Sequence, residues 1–322
     1  MKKLNWAILG PGRIASEFAD AVHAAGKTIY AVGSRRLEHA NDFAGKHHIE
    51  KAYGNYDEML RDPAIDIVYL STPHSNHYEY LMKCLENGKN VICEKAITVS
   101  TEQLRPVIQL AKEKHLFVVE AMTIFHMPLY QKLQEIVASG KIGKLKMVNV
   151  TFGSLKPYDP KSRFFNMDLA GGALLDIGTY ALSFARFFLS SQPNQIVTTV
   201  KKFETGADES SGIVLKNPDD QMGVITLTMR AKLPKRGIVT GDKAFITVDN
   251  FPRAENATLT YPDGSTEEIS AGDTDRAMAY EYVYMNQVVA GARQENTLPL
   301  TSDVVDIMTR VRHQWGINYP FE

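Results

Sequence analysis

Cysteine is scarce in this chain of 322 residues, with only Cys84 and Cys93. They form no Cys-x-x-Cys pair and join no cysteine–histidine cluster at zinc spacing, so the reading contains neither a disulfide framework nor a structural metal. A reducing cytoplasm is the expected compartment. Net charge is equally sparse, −1 at pH 7. That removes the electrostatic case for nucleic acid or an anionic membrane surface as a partner. No apolar run approaches the length of a membrane span. The opening "MKKLNWAILGPGRIA" carries two lysines, but Asn5 interrupts its apolar stretch, which then meets a glycine turn. It reads as a first strand and not as a signal peptide.

What remains is an ordinary globular balance, 44% hydrophobic and 23% charged, in a chain long enough for two domains. The first third alternates. Apolar strand-like runs at 4–10, 28–34, 65–72, 90–95 and 116–122 are separated by helix-like stretches such as "SNHYEYLMKCLENG" and "STEQLRPVIQLAKEKH". Gly88 sits where a helix C-cap belongs, and Ser100 with Gln103 has capping-box spacing. Short, continuously apolar strands alternating with helices predict a doubly wound parallel sheet. After about residue 123 the pattern changes. A helical run at 173–189 is followed by successive strand-like segments between 196 and 261, with "PDD" and "PDG" turns. These predict a mostly antiparallel sheet in a second, α+β domain. The expected domains are 1–122, for a dinucleotide, and 123–322, for substrate and oligomer contacts.

"AILGPGRIA" places Gly10, Gly12 and Ala15 as G-x-G-x-x-A between the first strand and a helix. Glycine lets the backbone turn tightly and approach a pyrophosphate, which then rests on the free N–H groups at the helix start, here Arg13 and Ile14. An NAD site usually carries Asp or Glu some 20 residues on, whereas arginine accommodates the 2′-phosphate of NADP. This chain has Ser34, Arg35 and Arg36 after its second strand, and no carboxylate before Glu38. The expected cofactor is NADP, with NAD as the alternative. The other reading of the two arginines is a solvated, basic start to a helix.

The strand "NVICEK" ends on Glu94 and Lys95. Charged side chains are seldom buried without a partner. In an open parallel sheet, ligands bind beyond the carboxyl ends of the strands. Lys95 is therefore expected to face a bound nicotinamide, with Glu94 pairing either with it or with nearby backbone. The same sheet edge carries Thr72, Pro73 and His77 in "STPHSNH", and Glu120. His77 serves either the cofactor and substrate or a structural hydrogen bond.

Taken in order, "AILGPGRIA", "STPHSNH", "CEKA" and "AGGALLDIGTY" resemble the landmarks of the glucose-fructose oxidoreductase, inositol dehydrogenase and MocA family. The likeness spans essentially the whole chain. Within the family it is similar to the dimeric dihydrodiol dehydrogenase and D-xylose dehydrogenase branch, most specifically through "RFFNMDLAGGALLDIGTYAL". The resemblance implies a Rossmann domain followed by a domain with a large open sheet that often forms a dimer contact; a homodimer or dimer of dimers is expected. It implies hydride transfer between a nicotinamide and the hydroxyl or carbonyl of a sugar, polyol or diol, with no metal.

The same resemblance implies roles for Lys95, Asp176 and Tyr180, the last as the proton-transfer group. Asp176 and Tyr180 are four apart and share a helix face. A tyrosine with its usual pKa near 10 is a poor base, and a nearby ammonium lowers that value. Three departures stand out. Ala96 follows the lysine where the family has proline. "EAMTIFHMP" offers Phe125 but lacks the branch's Trp-Thr-Arg-Phe. Tyr180 occupies a position that is histidine in other branches. Arg163 is either a substrate contact or a surface charge. The rival functions are an NAD-dependent glycosidase of the same family and a non-catalytic NADP-sensing partner protein.

Overall fold

The structure, a computed structural model, describes residues 3–322. Its first sheet begins with β1 (Trp6–Leu9), and α1 (Arg13–Ala24) crosses to β2 (Ala31–Gly33). Then come α2 (Leu37–Lys46), β3 (Lys51–Tyr53), α3 (Tyr56–Arg61) and β4 (Ile67–Leu70). The run closes with α4 (His74–Glu86), β5 (Asn90–Glu94), α5 (Thr101–Glu113) and β6 (Val118–Ala121). Every strand pair is parallel, and the order is β3-β2-β1-β4-β5-β6. All residues of β1 and β4 are buried, as strands covered on both faces must be. The order in which strands are added reverses between β1 and β4, the switch point where such sheets bind ligands.

A second sheet is built separately. After α6 (Pro128–Ala138) comes β7 (Leu145–Gly153), then a π-helical turn at Leu174–Gly178 leading directly into α7 (Thr179–Phe188). The remaining strands are β8 (Gln195–Lys202), β9 (Asp208–Lys216), β10 (Met222–Thr228), β11 (Leu233–Gly241), β12 (Phe245–Asp249), β13 (Asn256–Thr260) and β14 (Thr266–Ser270). Their order is β14-β13-β12-β11-β7-β10-β9-β8, antiparallel except where β7 meets β10. Two helices finish the chain, α8 (Ala277–Val289) and α9 (Leu298–Trp315). The fold is α/β: a Rossmann-type parallel sheet and a mostly antiparallel open sheet.

The chain divides into two compact units. One holds the first sheet through Ala121 and takes back Asp275–Leu298; the other holds Met122–Thr274 and Pro299–Glu322. A single division after residue 122 does not include that return. It is secured by aromatic burial: Trp6 packs on Tyr282 with ring centroids 4.7 Å apart, and its Nε1 donates to Asn286 Oδ1 at 3.2 Å. Phe18 stacks on Tyr69 in the same core. In the second unit, Phe184 on α7 packs against Phe251 and Tyr130.

Two local expectations turn out differently. Gly88 takes the positive φ of a C-cap, +73°. Ser100, however, caps α5 without a side-chain bond, while Gln103 accepts from the Val99 N–H. The six-stranded sheet also contains β3, which is three residues long and partly exposed, too short for an alternation to register.

Candidate functional site

Gly10 adopts φ +98°, and a Cβ there would lie 3.1 Å from Thr72 Cγ2. Only glycine supplies that conformation without steric cost. Gly12 is the N-cap of α1, with no side-chain cap and open space where a Cβ would project. The first N–H groups of α1 therefore have no capping side chain, and the helix dipole favours an anion in front of them. Thr72 Oγ1 is a buried hydroxyl without a hydrogen-bond partner among the described residues. The cradle and this hydroxyl fit a dinucleotide pyrophosphate at the Gly10–Ile14 turn. At the end of β2, Ser34 is buried and its N–H is tied to the Tyr53 carbonyl. Arg35 and Arg36 follow at the surface, with Arg36 in contact with His39. That cluster fits an added phosphate, whose oxygens an arginine fork matches.

At the end of β5, Tyr69 Oη donates to Glu94 Oε1 at 2.5 Å. The Lys95–Ala96 peptide is cis. The turn is held by side chains from neighbouring elements. His74 Nε2 lies 2.9 Å from the Lys95 carbonyl, and His77 Nδ1 lies 2.9 Å from the Ala96 carbonyl. The Ile97 N–H donates to Glu120 Oε1 at 3.0 Å. His77 is also 2.8 Å from the Thr72 carbonyl through Nε2, so both ring nitrogens are engaged with backbone. Burial pushes its pKa below the ordinary value, against the pull of the carbonyls. His77 thus ties the Thr72 loop to the Lys95 loop. Pro73 caps α4 between them. Across residues 91–100, Lys95 alone is not fully buried.

In the second unit the same pattern recurs. From Ala170 through Ala185, only Asp176 and Tyr180 escape full burial. Asp176 lies in the π-helical turn and Tyr180 in the first turn of α7. Such turns insert one residue into a helix and recur at functional sites. Arg163 reaches Asp176, Nη1 to Oδ1 at 3.6 Å, and its guanidinium sits 4.3 Å from the centre of the Phe164 ring. Phe152 flanks Tyr180, with ring centroids 6.3 Å apart. Phe125 is buried, with its ring stacked 5.9 Å from that of Phe187. His74 and Tyr69, to which the sequence assigns no role, hold the Lys95 loop through the Lys95 carbonyl and through Glu94. His74 lies within "STPHSNH", one of the segments that mark the sheet edge.

Residues 4–122 match the family model described as an oxidoreductase family with an NAD-binding Rossmann fold, and residues 130–247 match the GFO/IDH/MocA C-terminal domain. The chain belongs to the GFO/IDH/MocA oxidoreductase family. A trans-1,2-dihydrobenzene-1,2-diol dehydrogenase from Xenopus laevis is 30% identical over 98% of this chain and 99% of its own length. The human protein of that name is 29% identical, with 98% of each chain covered. A 3-ketoreductase from Actinomadura kijaniata solved with NADP and TDP-benzene superposes with a TM-score of 0.86, at 21% identity over 97% of this chain and 98% of that one. A levoglucosan dehydrogenase complexed with NADH gives 0.88 at 16% identity, covering 98% and 97%. Those two likenesses are likenesses of fold. Family membership makes the chain an NAD(P)-binding oxidoreductase. No helix among the described residues is long and apolar enough to cross a membrane, and no cluster of metal ligands is found among them.

Proposed function

We propose that the protein is an NADP-preferring dehydrogenase or reductase acting on the hydroxyl or carbonyl of a sugar, polyol or diol, with Lys95, Asp176 and Tyr180 at the chemistry. The observation that carries this is burial: in two otherwise covered segments, those are the residues left partly open. The Gly10–Ile14 turn and Thr72 hold the pyrophosphate, and Ser34, Arg35 and Arg36 hold the 2′-phosphate. When bound, the nicotinamide supplies the hydride acceptor or donor. Tyr180 takes the substrate hydroxyl proton in the oxidative direction and returns it in the reductive one. The Lys95 ammonium favours the phenolate and stabilises the oxyanion that develops on the substrate. Asp176, braced by Arg163, accepts a hydrogen bond from a second substrate hydroxyl. The relatives named for diol oxidation and the neighbour named for levoglucosan support polyhydroxylated substrates.

Assembly and location belong to the same proposal. The outer face of the second sheet carries a row of paired residues, Val197, Val214 and Val224, of which Val197 is 71% exposed. A homodimer covering that row removes apolar surface from water. Cys84 and Cys93 are free and buried, with thiols pushed up in pKa by burial, which suits a reducing cytoplasm. Screening aldoses, polyols, inositols and diols for reduction of NADP and of NAD tests the activity. Turnover of none of them with either cofactor would overturn it.

A further inference from the structure

Asp208 opens β9 and is completely buried. Its Oδ2 accepts the Leu174 N–H at 2.7 Å, at the entrance of the π-helical turn that leads into α7. Its Oδ1 has no hydrogen-bond partner among the described residues. Space for that oxygen comes from Gly172: a Cβ there would lie 2.1 Å from Asp208 Oδ1, and Gly172 holds φ +134°. The turn is fixed from its other side too. The Gly172 N–H donates to the Phe164 carbonyl at 3.0 Å, and the Asp176 N–H donates to the Gly172 carbonyl at 3.3 Å.

The C-terminal segment completes the support. Tyr319 Oη donates to the Gly171 carbonyl at 3.2 Å. Arg312, fully buried on α9, sits with its guanidinium 4.7 Å from the centre of the Tyr319 ring and is paired with Glu322. Arg312 and Tyr319 are the charged and titratable groups that face Asp208, with Glu322 beyond Arg312. Burial raises the Asp208 carboxyl to about 6, while the backbone N–H groups of Leu174, Asp208 itself and Ala173, together with the Arg312 charge, favour its ionised form. A buried carboxyl with one oxygen unmatched is costly in an ordinary core. Here it sits behind the turn that carries Asp176 and leads into Tyr180.

We propose that Asp208 is a positioning residue for the proton-transfer helix. Its carboxylate anchors the backbone at Leu174 and so sets where Asp176 and Tyr180 stand; it touches no reacting atom itself. The proposal rests on the assignment of Tyr180 above. A small displacement of a reacting group costs rate without costing cofactor affinity, since the dinucleotide turn belongs to the other unit.

The test compares Asp208→Asn, Asp208→Ala and Asp208→Glu in the full-length protein. Asn keeps an acceptor for Leu174. Ala removes it. Glu extends into space that Gly172 barely leaves. Expected are a kcat within about threefold of wild type for Asn and a loss of about tenfold to a hundredfold for Ala and Glu, the scale of a misplacement near 1 Å. The NADPH Kd should be unchanged in all three. The pH–kcat limb assigned to Tyr180 should move in Ala and Glu and stay in Asn. A role confined to stability predicts lower melting temperatures with unchanged kcat and pH limb, and that result overturns the proposal. Should Ala fail to fold, the Asn and Glu pair decides it, and wild-type kcat in Glu counts against. Tyr180→Phe at the wild-type rate would instead remove the assignment on which this rests, whatever Asp208 does.

Discussion

His77 is bound to Ala96 across the gap between two strand ends, Nδ1 to carbonyl oxygen at 2.9 Å, and its other nitrogen meets the Thr72 carbonyl at 2.8 Å. A neutral imidazole has one N–H and donates to one of these carbonyls at a time; an imidazolium would donate to both. Burial is the larger influence and keeps the folded-state pKa below 6.5. The folded protein therefore binds fewer protons than the unfolded chain near that pH. Stability from this group is present above about pH 6.5 and lost as the pH falls below it. Comparing denaturant midpoints of wild type and His77→Leu, which has no N–H to donate, between about pH 7.5 and 5 isolates the effect. The variant should be less stable at the upper end by about 1–3 kcal/mol, the cost of a buried carbonyl left without its donor, and its pH dependence should be flatter. Equal slopes for the two proteins would refute the assignment.

Cofactor choice turns on Arg35 and Arg36. Arg35 lies near Tyr56 and Tyr80, and Arg36 caps α2 beside His39. Arg35→Ala should weaken NADPH by about tenfold or more, since a charge-assisted hydrogen bond contributes about 1.5–3 kcal/mol and each 1.4 kcal/mol is tenfold. NADH should change little. Fluorescence titration with both cofactors checks it, and equal losses would remove the 2′-phosphate from this end of β2.

Much of this was legible because it is local. The Gly10–Gly12 turn needs only its own strand and helix, and Lys95 stands out because a charge follows Val91–Cys93. The segments that escaped depend on distant partners. Asp208 reads as part of a polar turn in "TGADESSG"; its burial is intelligible only with Gly172 and Leu174 beside it. Nothing within Ala277–Val289 announces that Tyr282 will stack on Trp6, so the return of the chain to the first unit is a long-range packing choice. The π-helical turn is invisible to a search for the α-helical period, which places Asp176 and Tyr180 on one face by a different count.

Oligomerisation is testable on the open sheet. Val224 pairs with Val214, which pairs with Val197, so one charge in the middle of that row disturbs the whole of it. Light scattering should give twice the chain mass of 36.0 kDa at micromolar concentration. Val214→Lys should shift the population toward monomer, because burying an unpaired ammonium is costly. A monomeric wild-type protein would refute the dimer.

The sharpest test concerns Lys95 and Tyr180 together. If the ammonium favours the phenolate and the developing oxyanion, Lys95→Ala strikes the transition state more than binding. Its kcat should fall by about a hundredfold or more, the range that positioned acid–base groups supply. NADPH affinity should change much less, since the Gly10–Ile14 turn and the arginines remain. Tyr180→Phe should be similarly damaging. The double variant should lose little beyond the worse single one, because residues that act as a unit are not additive. The basic limb of the rate profile should move upward in Lys95→Ala as the phenol loses its cationic neighbour. A lysine that served only the fold would predict the reverse: lowered stability, an unmoved limb and a nearly intact kcat. With His74, His77 and Glu120 still holding the backbone of residues 95, 96 and 97, Lys95→Ala should fold. Turnover by that folded variant at the wild-type rate would take the lysine out of the mechanism.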